Sequence, residues 1–110
     1  MPISAARTSV RELESLLQSD ALYACVDVRE RGEFALGQIE GVTPLPRGTI
    51  EYRMETMVPS HTVPIVVCCD DGRRSELAAV TLNSMGYANV SVLDGGLRGW
   101  RATGLPIIAG

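Results

Sequence analysis

Pro64-Ile65-Val66-Val67-Cys68-Cys69-Asp70-Asp71-Gly72-Arg73-Arg74-Ser75 is the stretch that decides how this chain is read. Its first six residues are an apolar run, the pattern of a strand at 65–69 buried on both faces. A helical pattern follows from about Arg73 to Met85 and stops at Gly86. A strand turning sharply into a helix aims successive N–H groups, and the positive end of the helix dipole, at one small volume. A sulfur held there is favoured as the thiolate, and the thiolate is the nucleophile. Cys69 is therefore the candidate catalytic residue. Cys68 must point to the opposite side of the strand, and a disulfide between the two neighbours would be strained.

The pattern extends outward in both directions. Ser9-Val10-Arg11-Glu12 is a capping box, and Val10, Leu13, Leu16 and Leu17 form a helical stripe to about Gln18. Tyr23–Val28 is β-rich and nearly all apolar, whereas 30–36 suits a short helix closed by Gly37. Residues 42–45 suggest a short strand broken by Pro44 and Pro46, and 50–57 a helix. A strand at 90–93 and a last helix at 97–102 complete the order α-β-α-β-α-β-α-β-α. Such alternation predicts an α/β fold: an open, mostly parallel sheet of about four to five strands with helices on both faces. Ligands then sit beyond the C-terminal ends of the strands, where Cys69 and Asp27-Val28-Arg29 both fall.

With 110 residues, 45% of them hydrophobic, the chain reads as a single domain, 1–110, with its core at about 4–107. A net charge of −3 and dispersed arginines give no reason to expect nucleic acid or an anionic membrane as partner. No window approaches 18 apolar residues, and the N-terminus lacks the build of a signal peptide. Three cysteines without framework spacing argue against a disulfide-stapled domain, so a cytoplasmic location with reduced thiols is expected. The single histidine, His61, has no spaced cysteine partners and makes no zinc site. Cys25 and Cys68 read as core hydrophobes.

The ordered set Val26-Asp27-Val28-Arg29-Glu30, Glu33-Phe34, Gly37-Gln38-Ile39-Glu40-Gly41, Cys69 to Ser75, Gly86-Tyr87-Ala88-Asn89-Val90, Leu93-Asp94-Gly95-Gly96, Trp100 and Gly104-Leu105-Pro106 resembles the rhodanese-like (sulfurtransferase) domain family. The resemblance covers roughly residues 4 to 107 and implies an open parallel sheet whose active loop runs from strand to helix. It further implies a persulfide on the loop cysteine. Two departures stand out: Gly37-Gln38-Ile39-Glu40-Gly41 where relatives often read Gly-His-Ile-Pro-Gly, and the acidic pair Asp70-Asp71 where many relatives are neutral or basic.

On this reading the chain moves a sulfane sulfur from a donor, thiosulfate or a persulfide, to a thiol or cyanide acceptor by double displacement. A protein persulfide is a further candidate donor. Asp70, Asp71, Gly72, Arg73, Arg74 and Ser75 form the loop, whose amides and Arg74 guanidinium would hold the anion. Asp27 and Arg29 read as a supporting brace. No metal or organic cofactor is required. A carboxylate ~6 Å from a thiolate costs roughly 2–3 kcal/mol at an effective dielectric of about 20, so the two aspartates are expected to face water and repel dianionic thiosulfate. Two other readings stay open: a non-catalytic or regulatory binding module, and a Cys-based phosphatase or arsenate reductase. Phosphatases on related folds place five residues between cysteine and arginine, a spacing that Cys68 to Arg74 has and Cys69 to Arg74 lacks by one.

Overall fold

The computed structural model describes residues 6–109, so the expected beginning of the core at residue 4 lies outside the described residues. Five strands, β1 (Ala6–Thr8), β2 (Ala24–Asp27), β3 (Thr43–Pro44), β4 (Ile65–Cys68) and β5 (Val90–Leu93), form one sheet in the order β1-β5-β4-β2-β3. Each of the four strand pairings among the described residues is parallel. β1 and β3 are the two edges, so the sheet is open. The helices are α1 (Val10–Leu17), α2 (Arg31–Leu36), α3 (Ile50–Met57), α4 (Arg73–Ser84) and α5 (Gly96–Ala102).

The two-residue period of the central strands divides the core in two. Val26, Ile65, Val67, Val90 and Val92 pack with Ile50 and Met54 of α3 and with Ala78, Ala79 and Leu82 of α4. Cys25, Val66, Cys68 and Leu93 pack on the other face with Leu13 of α1 and with Leu97 and Trp100 of α5. All four residues of β4 are buried, which explains why its sequence does not alternate. α1 begins at the expected capping box: Glu12 N–H donates to Ser9 Oγ at 3.0 Å, and Ser9 N–H to Glu12 Oε1 at 2.8 Å.

Several elements differ from the sequence expectation: β2 is shorter, at Ala24–Asp27 rather than 23–28, and β3 spans Thr43–Pro44 rather than 42–45. The chain enters the sheet through β1 before the first helix, at Ala6-Arg7-Thr8, which carries almost no apolar signal. As an edge strand it is held by its parallel register with Ser91, Val92 and Leu93. β4 ends at Cys68 rather than 69, because the Cys69 carbonyl leaves the ladder to accept from Leu97 N–H at 2.9 Å. α5 starts one residue early, at Gly96. Because all strands run the same way, the turns after β2, β4 and β5 gather on one edge of the sheet.

Candidate functional site

Cys69 follows β4 and is fully buried. Gly72 then takes φ +100° and ψ −15°, a left-handed turn that places it as the N-cap of α4. A Cβ on Gly72 would meet nothing within 4 Å, so backbone conformation rather than crowding demands glycine there. The turn folds the chain back over the sulfur. Gly72 N–H donates to Cys69 Sγ at 3.0 Å and Ser75 N–H at 3.4 Å. Ser75 Oγ is buried beside them without a hydrogen-bond partner among the described residues. Two amide dipoles and the start of a twelve-residue helix thus converge on one sulfur, an arrangement that favours negative charge.

α5 supports this loop from behind. Leu97 N–H donates to Cys69 O, and Arg98 N–H to Asp70 O at 3.0 Å. Gly96 makes the approach possible: a Cβ there would lie 2.5 Å from Asp70 O and 2.6 Å from Cys69 O. The two aspartates are both engaged. Asp70 Oδ2 accepts from Arg98 Nε at 2.9 Å. Asp71 is exposed, and its Oδ1 accepts from Arg73 N–H at 3.0 Å, which holds its carboxyl below the usual range. Arg73 itself faces solvent.

Arg74 makes no hydrogen bond to the sulfur among the described residues. Its guanidinium grips the Glu33 carboxylate through both nitrogens, Nη1 to Oε1 at 2.5 Å and Nη2 to Oε2 at 2.7 Å. That fork holds the Glu33 carboxyl down at about 2 and pushes Arg74 up. Glu33 sits in the first turn of α2, where Glu30 N–H donates to its Oε1 at 3.1 Å and Arg29 Nη1 to its carbonyl at 3.2 Å. Arg29 and Asp27 are buried together. Arg29 Nη2 reaches Asp27 Oδ2 at 2.8 Å and Gly37 O at 2.8 Å, and Arg29 Nε lies 3.1 Å from both Asp27 oxygens. The end of β2 is therefore tied to the loop through Glu33. Neither Asp27 nor Arg29 has surface with which to touch a substrate.

Cys68 lies across the sheet from this site. Its Sγ is 3.6 Å from Cys25 Sγ on the neighbouring strand, and the contact with Cys25 together with burial pushes the Cys68 thiol well up. It is thus held as a neutral core group. His61 is likewise committed elsewhere, pairing with Glu55 at 2.7 Å and packing on Tyr87. Sequence reasoning did not assign Glu33, Arg98 or Gly96 to the site. Glu33 carried a signal, the Glu30-x-x-Glu33 capping box, but nothing in it points across 41 residues to Arg74.

The chain is similar to known proteins over most of its length. The family model of the rhodanese-like domain matches residues 9–103. A protein of Allochromatium vinosum named sulfurtransferase is 38% identical over 84 residues, covering 76% of this chain and 77% of its own. The Bacillus subtilis protein YrkF is 33% identical over 92 residues, 84% of this chain, but the match spans only 49% of its length. The crystal structure of thiosulfate sulfurtransferase from Pseudomonas aeruginosa superposes with a TM-score of 0.88 at 32% identity, over 94% of this chain and 20% of that one. Among the described residues, no helix is long and apolar enough to cross a membrane. With the family's motifs in order along an open parallel sheet, the chain belongs to the rhodanese-like domain family.

Proposed function

We propose that this chain is a sulfurtransferase that carries a sulfane sulfur on Cys69 as a persulfide. The observation that supports it most is the convergence of the Gly72 and Ser75 amides on Cys69 Sγ at the start of α4. In the first step the Cys69 thiolate attacks the outer sulfur of a donor. With thiosulfate the S–S bond breaks, sulfite leaves with the bonding pair, and Cys69-S-S⁻ remains. In the second step a thiolate or cyanide takes the outer sulfur, the Cys69 S–S bond breaks, and the Cys69 thiolate returns. Splitting one transfer into two through a covalent intermediate is nucleophilic catalysis.

The chain's own groups divide the work. Gly72 and Ser75 amides stabilise whichever sulfur bears the charge, and the uncommitted Ser75 hydroxyl is a third donor for the added atom. Because Cys69 is fully buried, the loop or the groups covering it must move for a donor to reach Sγ. Names of relatives favour transfer over phosphate-ester hydrolysis, and the short loop, bonding directly to the sulfur, favours it too. A small sulfur donor and a thiol or cyanide acceptor are the partners this chemistry calls for.

Mass spectrometry after brief exposure to thiosulfate or polysulfide tests the reading. A gain of about 32 Da on Cys69, reversed by cyanide, is the expected result. An alkylatable Cys69 that takes up no sulfur from any donor would instead indicate a binding module, and turnover of a phosphate ester a phosphatase.

A further inference from the structure

Arg74 is the loop arginine that the sequence directs toward an anion, yet Glu33 holds it. The fork is bidentate, with both partners about one third exposed, so an incoming anion can reach them but must compete with the carboxylate. Glu33 is itself fixed from two further sides, by Glu30 N–H and by Arg29 of the buried Asp27–Arg29 pair. Its hold on Arg74 is thus part of the fold rather than a chance meeting of two long side chains.

We propose that Glu33 is a positioning residue that sets donor selectivity: by neutralising and restraining Arg74 it withholds a cation from anionic donors and so handicaps dianionic thiosulfate relative to less charged sulfur donors. This deepens the transferase reading and rests on it. A dianion gains most from a free guanidinium and loses most when a carboxylate lies beside it. A donor with a single negative charge, such as benzenethiosulfonate, loses less. Its transfer to Cys69 releases benzenesulfinate, with the same S–S bond broken and the same persulfide formed.

The variant of choice is Glu33→Gln. Glutamine still serves the third helical position of a capping box, so α2 keeps its start while the charge on Arg74 is released. The primary readout does not involve sulfur transfer. Cys69 is alkylated in parallel with iodoacetate, an anion, and iodoacetamide, which is neutral. Both react with the same thiolate, so their rate ratio reports the local affinity for an anion. The ratio is expected to rise about two- to fivefold in Glu33→Gln, the range of an exposed ion pair. It should return most of the way in Glu33→Asp and show no rise in Glu33→Gln/Arg74→Gln relative to Arg74→Gln. The KM for thiosulfate should fall in Glu33→Gln by a similar factor, with a smaller fall for benzenethiosulfonate. An unchanged alkylation ratio in folded Glu33→Gln, or an equal rise without Arg74, would overturn the assignment. Failure of both donors to load Cys69 in the unmodified protein would count against the transferase reading alone, since the alkylation ratio judges Glu33 independently.

Discussion

Cys68 and Cys69 are consecutive in the chain, but their sulfurs lie in different hydrophobic clusters on opposite faces of the sheet. Cys69 Sγ accepts two amide N–H groups, whereas the polar neighbour of Cys68 Sγ is the Cys25 thiol. One residue of strand register thus separates a sulfur bonded by two amides from one packed against another thiol. Cys69→Ser should abolish sulfur loading. Cys68→Ala should leave it in place and cost about 1 kcal/mol for the small cavity, read by denaturant unfolding. Loss of loading in a folded Cys68→Ala protein would reverse the assignment of the nucleophile.

Gly72 and Gly96 both take positive φ near the loop, yet alanine should act differently at each. At Gly72 the space is open, so Gly72→Ala meets only the left-handed backbone penalty, about 1–2 kcal/mol. Gly72→Asn should cost less, because asparagine tolerates that region. At Gly96 the same penalty is joined by a backbone clash with Cys69 and Asp70, for a total of about 2–5 kcal/mol. Thermal unfolding of the three variants should rank Gly72→Asn, Gly72→Ala, Gly96→Ala in increasing loss of Tm. Equal losses at Gly72 and Gly96 would mean that the close approach of α5 to the loop is not stabilising.

The aspartates of the loop are not equivalent either. Asp70 is matched by Arg98, while Asp71 is exposed and spends its side chain on the Arg73 amide. Repulsion of thiosulfate should therefore come mainly from Asp71. Asp71→Asn retains an oxygen acceptor for the amide and should raise kcat/KM for thiosulfate by about two- to fivefold, the scale of one exposed charge. Asp70→Asn should raise it as well, by releasing Arg98 as a cation for the donor. Steady-state kinetics at low ionic strength gives the comparison, and added salt should erase it. No gain from either change would remove the repulsion idea.

The architecture was legible because the central strands are buried on both faces and the helices between them carry clear stops, as at Gly37 and Gly86. β1 was not, since Ala6-Arg7-Thr8 is an exposed edge whose stability comes from backbone pairing rather than apolar pattern. At the site, local features could be read: the strand-to-helix turn, the glycine within it and the alternation separating Cys68 from Cys69. Long-range pairings could not. The sequence directs Arg74 toward an anion, and only the packing of α2 beside the loop gives that guanidinium to Glu33. Likewise, Gly95-Gly96 reads as a turn, but the contact that requires Gly96 is with residues 69 and 70.

The Glu33–Arg74 pair also makes a claim about acid stability. Arg74 holds the Glu33 carboxyl at about 2 against an ordinary value of 4.5. A carboxyl depressed in the folded state stabilises fully above its unfolded value, and that contribution disappears as pH falls from about 4.5 towards 2. Since more than a third of the Glu33 side chain is exposed, solvent screening limits the contribution to about 1 kcal/mol at most. Denaturant unfolding of the native chain and of Glu33→Gln should therefore differ by a constant amount from pH 7 to 5. The two curves should converge between pH 4.5 and 2, and high salt should narrow the gap at neutral pH. A gap that stays constant through pH 2 would show that Glu33 stabilises through packing or its helix cap rather than through its charge.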